Sequence, residues 1–134
     1  MTDAPVLAFD DLTYTRSQLD ALSAGLARIL ADRGVGRGHR VAVMSSNRPE
    51  FVFAIQAIWR LGASAVLISP AWKSAEVSAA VALSGATHAV GDCPVLADLM
   101  PMLHLDDPIA PAEPRADRAD PDADAVLVFS SGTT

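Results

Sequence analysis

Four hydroxyl side chains gathered around one glycine close this 134-residue chain, in the run Ser130-Ser131-Gly132-Thr133-Thr134. Hydroxyls donate to phosphate oxygens, consecutive backbone N–H groups can line one concavity, and Gly132 lets the backbone come close to a ligand, so this is material for an anion nest. The run lacks the lysine and second glycine of the loop G-x-x-x-x-G-K-[ST], and the dinucleotide pattern G-x-G-x-x-G is absent from the chain. Taken with no wider context, five small residues at a C-terminus also describe a frayed end.

Other reactive side chains offer less. His39, His88 and His104 show no ligand spacing with Cys93, so no metal is assigned. Cys93 has no basic neighbour in sequence to lower its pKa and reads as a small, partly buried residue. Ser84-Gly85 and Ser131-Gly132 lack the flanking glycine of G-x-S-x-G, which disfavours a serine hydrolase. Trp59 and Trp72 read as core or interface aromatics, and no residue is assigned a catalytic role.

The terminal run follows an apolar stretch, Ala125–Phe129, that reads as a strand, and the elements before it alternate. Thr13–Thr15 is a short β-prone stretch, and Thr15 with Gln18 makes a capping box for a helix with Leu19, Leu22, Leu26, Ile29 and Leu30 on one face. Gly34 ends it. Val41-Ala42-Val43-Met44 is short and wholly apolar, as in a strand buried on both faces. Asn47, with Glu50 three residues later and Pro49 in the first turn, starts a second helix from about Arg48 to Leu61 whose apolar residues leave little polar surface, so it should be buried on most sides. Ser64–Ile68 is a further strand, Ser74 caps a third helix that Gly85 stops, and Thr87–Val90 is another strand. A short helix over Val95–Met100 and an extended His104-Leu105 follow.

Strand, helix, strand in repetition predicts a layered α/β fold, a mostly parallel sheet flanked by helices. Three parts are expected: residues 1–105 as the α/β subdomain, 106–124 as an acidic loop, and 125–134 as strand and phosphate-binding loop. Residues 106–124 hold seven of the sixteen acids and two of the ten bases, hence −5 of the net charge of −6. Four prolines and a single large aliphatic residue, Ile109, make that stretch a solvated loop. The acidic balance argues against a nucleic-acid partner, since phosphate backbones need clustered Lys and Arg. One cysteine permits no intrachain disulfide, and the first residues show neither a signal peptide nor any run approaching a membrane span, so a cytoplasmic protein is expected.

In this order and spacing, the segments Leu12-Thr13-Tyr14, Gly34-Val35 through Gly38-His39-Arg40-Val41-Ala42-Val43, Asn47-Arg48-Pro49-Glu50-Phe51, Leu61-Gly62-Ala63, Ser69-Pro70, Ser84-Gly85-Ala86 and Phe129–Thr134 resemble the N-terminal region of the adenylate-forming (AMP-binding) superfamily. That superfamily includes acyl-CoA synthetases and the adenylation domains of peptide synthetases. His39 stands where Asp is usual before Arg40, and Ser69 where Asn often precedes Pro70.

The resemblance implies that Ser130, Ser131, Gly132, Thr133 and Thr134 contact the β- and γ-phosphates of ATP, in a motif that continues in the family as Gly-x-Pro-Lys-Gly. It implies an enzyme, most like a fatty-acid-CoA ligase, that uses ATP, Mg and CoA, of which this chain is the opening part. Without the lysine and the later metal, adenine and ribose contacts, the chain alone is expected to be inactive and to hold no cofactor tightly. A sheet lacking neighbours is expected to self-associate through a strand edge or apolar face. The competing expectation is a catalytically inert binding or assembly module on the same fold.

Overall fold

The computed structural model describes residues 5–9, 12–112 and 126–128. β1 (Pro5–Phe9) and β2 (Leu12–Thr15) pair as an antiparallel hairpin of their own. Only the second of these strands was legible in the sequence. Thr15 then caps α1 (Arg16–Asp32): its hydroxyl accepts from the Gln18 amide at 3.2 Å, and Gln18 Oε1 accepts from the Thr15 amide at 2.9 Å. Two otherwise orphaned amides are satisfied at the first turn.

Among the described residues, five strands form the main sheet: β3 (Arg40–Met44), β4 (Ser64–Leu67), β5 (His88–Gly91), β6 (Met102–His104) and β7 (Val126–Val128). Their order is β6-β5-β3-β4-β7 and every pairing is parallel. Between them lie α2 (Pro49–Arg60), α3 (Ser74–Ser84) and α4 (Pro94–Leu99). The α/β expectation holds, in three layers.

Alternation along the strands assigns each side chain to a layer. Val41, Val43, Ala65, Val90 and Leu103 face α1 and α2, where they meet Leu26, Leu30, Phe53, Ala57 and Ile58. Ala42, Met44, Val66 and Ala89 face the other way, onto Val77 and Ala80 of α3 and Leu96 of α4. Val41 to Met44 are fully inaccessible, as a central strand covered on both faces requires. Burying each such Val contributes about 1.5–3 kcal/mol.

Sequence and structure differ at helix starts. The N-cap of α2 is Arg48 rather than Asn47, and Pro49 is the first helical residue. Proline lacks the N–H that would be orphaned there, and the Arg48 side chain is drawn to carboxylates beyond the helix. The N-cap of α3 is Lys73 rather than Ser74; its amide donates to Glu76 Oε1 at 3.2 Å. The stop of α3 is as expected, with Gly85 left-handed at φ 72°. As its composition implies, α2 is covered on most sides, and of its residues only Trp59 is exposed.

Where α1 packs on α2, the inaccessible Ser23 hydroxyl donates to Gln56 Oε1 at 2.9 Å, and Arg60 Nη2 lies 3.2 Å from Asp20 Oδ1. The acidic stretch is largely exposed at its start, except that Ile109 packs against the α1/α2 core.

Candidate functional site

In open parallel sheets, ligands gather beyond the carboxyl ends of the strands, at crevices where neighbouring connections leave toward opposite faces. β3 leads into α2 on one face, whereas β4 and β5 lead into α3 and α4 on the other. A crevice therefore opens on either side of β3, next to β5 and next to β4.

The β3/β5 crevice is filled by the chain's own charges. Arg48, after β3, places Nε 3.0 Å from Glu50 Oε1, Nη1 3.2 Å from Asp92 Oδ2 and Nη2 2.9 Å from Asp106 Oδ1. Nη2 also reaches the Leu105 carbonyl at 3.5 Å. Asp92, just after β5, accepts from the Ser46 amide at 3.0 Å and from the Ser46 hydroxyl. One guanidinium thus joins the ends of β3, β5 and β6.

The electrostatics follow. Burial pushes the Asp92 carboxyl up, but hydrogen bonds from the Ser46 hydroxyl and amide, Arg48 and Cys93 outweigh it and bring the group from 3.8 down to about 2. The Glu50 hydrogen bond raises the Arg48 guanidinium above its ordinary value; desolvation opposes this, and Asp106 and Asp92 reinforce it. The Cys93 thiol is pushed up to about 11, by burial first and then by its hydrogen bond to Asp92 at 3.4 Å and the charge of that group. It is a protonated donor at neutral pH, which agrees with the structural reading of this residue.

The hydroxyls that follow β3 and β4 are engaged as well. Ser45 Oγ donates to the Ser46 carbonyl at 2.8 Å, and Ser69 Oγ accepts from the Ala71 amide at 3.2 Å. These are turn contacts, and they give the loops after β3 and β4 a structural part.

β7 pairs parallel with β4, Leu67 opposite Val128, so the chain leaves β7 at the same end of the sheet as Ser45 and Ser69. Ser130, Ser131, Gly132, Thr133 and Thr134 lie outside the described residues.

His39 and His88 lie side by side, ring centroids 5.4 Å apart, and His104 lies away from them. His39 Nδ1 accepts from the Gly36 amide at 2.9 Å and His88 Nε2 meets the Arg33 carbonyl at 3.1 Å, both where strands begin. His104 Nδ1 accepts from the Asp106 amide at the opposite end. Among the described residues no group of three or more His, Cys, Asp or Glu could hold a metal ion. Ser84 Oγ donates to the Val81 carbonyl at 3.1 Å, a helix-end contact rather than a nucleophile's. Among the described residues no helix is long and apolar enough to cross a membrane.

The charged hub at Arg48 was not anticipated. Arg48 and Glu50 were visible in one motif, but the one signal for Asp92 was an acidic residue directly after a strand.

The AMP-binding enzyme family model matches residues 1–134. The chain is 44% identical over 64 residues to the olefin beta-lactone synthetase of Stenotrophomonas maltophilia (strain K279a), covering 48% of this chain and 12% of that protein. It is 28% identical over 138 residues to surfactin synthase subunit 1 of Bacillus subtilis (strain 168), covering 100% of this chain and 4% of the other. Among solved structures, O-succinylbenzoate coenzyme A synthetase (MenE) from Bacillus subtilis in complex with AMP superposes with a TM-score of 0.85 at 28% identity, over 98% of this chain and 36% of that one. The chain therefore spans a minor part of each of these relatives.

Proposed function

Since the chain belongs to the AMP-binding enzyme family, we propose that it forms the nucleotide-facing N-terminal part of an enzyme that activates a carboxylic acid with ATP. In that reaction a carboxylate oxygen attacks the α-phosphorus, the bond from that phosphorus to the bridging oxygen of pyrophosphate breaks, and an acyl-adenylate and pyrophosphate result. Transfer of the acyl group to the thiol of coenzyme A follows in the CoA-ligase reading. The charge that develops at phosphorus calls for positioned donors and cations.

The observation that carries the proposal is the family match across residues 1–134, combined with a last strand that runs parallel to β4 and so delivers the chain to the ligand-bearing end of the sheet. On this reading Ser130, Ser131, Thr133 and Thr134 offer hydroxyls, and Gly132 a close backbone approach, to the β- and γ-phosphates. MenE, at 26% identity, is known in complex with ATP and magnesium ion, and at 29% identity in complex with the acyl-adenylate intermediate OSB-AMP, which supports ATP and Mg as the cofactors. A fatty acid is the acyl substrate proposed from the resemblance. The similar proteins point to a broader range, including a 2-succinylbenzoate–CoA ligase and a probable non-canonical nonribosomal peptide synthetase, which supports the carboxylic acid class as a whole.

The chain alone is proposed to be inactive, cytoplasmic and prone to self-association, with no nucleic-acid partner. A monodisperse monomer at micromolar concentration in sedimentation would count against the self-association.

The test is an amide NMR titration of the 134-residue chain with MgATP. Weak, saturable shifts at residues 129–134 and at Ile68-Ser69, with no pyrophosphate released when a carboxylic acid is added, are expected. Shifts elsewhere alone, or none, would favour an inert binding or assembly module. That reading draws support from Ser45, Ser46 and Ser69 all being engaged within the fold. Turnover by the chain alone would show that groups already present suffice.

A further inference from the structure

The segment that leaves β6 takes a path dictated by handedness. Connections between parallel strands are right-handed. β3 to β4 crosses on the α1/α2 face, and β4 to β5, which runs back across the sheet, crosses on the α3/α4 face. By the same rule a connection from β6 toward β7 starts on the face that α1 and α2 occupy, and residues 105–112 lie there, outside α1. Residues 105–112 run across α1, where the Ala112 amide donates to the Ala21 carbonyl at 3.0 Å. That carbonyl has a second lone pair beyond the one its helix uses. Approach this close is possible only because Gly25 has no side chain, for an ideal Cβ there would lie 1.9 Å from the Ala110 carbonyl oxygen.

Three contacts of different kinds hold this strap. Leu105 is buried and Ile109 half-buried against the α1/α2 core. The Ala112 amide and the Gly25 gap form the second contact, at the far end. The third is Arg48, which grips Asp106 and the Leu105 carbonyl while tied to Asp92 and Glu50. Beneath the strap lies a cleft of about 310 Å³. It is lined by Tyr14, Leu22 and Phe53, by Arg48 and Glu50, and by Leu105 to Ile109 of the strap itself.

We propose that residues 105–112 are a hinged strap closing this cleft and that Arg48 is its latch, a positioning residue that holds the strap down through Asp106 and the Leu105 carbonyl. The inference stands independently of the ATP reading. Arg48 is suited to the task because its planar fork reaches several acceptors at once, whereas a lysine is a point charge able to satisfy one or two. Its side chain is 23% exposed and that of Asp92 13%, so these pairs are largely shielded from solvent, unlike ordinary surface pairs. Only Asp106, at 67%, is on the outside, where release can begin.

Hydrogen exchange read by mass spectrometry tests this on the full chain, because local opening exposes some amides while leaving others protected. Arg48→Lys is expected to keep the Asp92 pairing but free the strap, raising exchange over residues 105–112 about tenfold while β3 and β4 amides stay within twofold of wild type. Asp106→Asn, which removes one arm without stranding a buried charge, is expected to give a smaller rise, about threefold, confined to the same segment. If Arg48→Lys leaves the strap as protected as wild type, or if strap and sheet amides rise together in both variants, Arg48 is an ordinary structural ion pair and the latch is overturned.

Discussion

Gly91 in β5 passes so near Met44 in β3 that an ideal Cβ on Gly91 would lie 2.1 Å from the Met44 carbonyl oxygen and 3.0 Å from its carbonyl carbon. Both contacts are to backbone, which has no rotamer to give. Gly91 is also the register partner of Met44 in the parallel ladder, and the Asp92 amide donates to the same carbonyl at 3.1 Å. This glycine therefore fixes how closely the ends of β3 and β5 approach, and with them the distance from Arg48 to Asp92.

Gly91→Ala should cost about 3 kcal/mol, the upper part of the usual range for overpacking, because the clash is with a strand that is itself clamped on both faces. Urea unfolding followed by circular dichroism measures it. A cost under about 0.5 kcal/mol, the size of a neutral surface change, would show that the two strands part freely.

Gly25→Ala sets two effects in opposition. Alanine in the middle of α1 favours the helix by about 1 kcal/mol. The new methyl would meet the Ala110 backbone and the Ile109 side chain, and overpacking of this kind costs about 1–3 kcal/mol. The clash should prevail, giving net destabilisation and loss of the Ala112-to-Ala21 hydrogen bond. A variant more stable than wild type would mean that the strap is not pinned there.

Asp92 gives stability a defined acid dependence. Its folded value, about 2, lies below the unfolded 3.8, so its contribution is complete above the unfolded value and is lost as pH falls through the folded one. Asp92→Asn should be less stable than wild type at neutral pH, and the gap should narrow through this window and close below it. Paired unfolding curves across acidic pH measure the gap, and a constant or widening difference would contradict the assigned cause.

Leu26→Ala and Leu83→Ala separate core from surface. Leu26 is 1% exposed against Val41 and its neighbours in the α1/α2 core, and its truncation should cost about 2–5 kcal/mol. Leu83 is 78% exposed on α3, and its truncation should stay within about 0.5 kcal/mol. Equal costs in thermal unfolding would mean that α3 is covered in solution.

What the sequence determined by itself was everything decided over short range. The Thr15/Gln18 box, the apolar run from Val41 to Met44, Pro49 at a helix start and Gly85 at a helix end depend on neighbours a few residues away, and each recurs in the structure. The parallel α/β class followed from their alternation, and the order of motifs carried the family. Ser130 to Thr134 rest on that resemblance, outside the described residues. Only the tertiary structure decided the order β6-β5-β3-β4-β7, since an apolar run has the same pattern whichever strand lies beside it. Only it joined Arg48 to Asp92, 44 residues away, and then to Asp106. It also reversed the meaning of Gly25: within a helix a glycine reads as a cost, and here it is the space through which a distant strap is hydrogen-bonded, a contact no local pattern encodes.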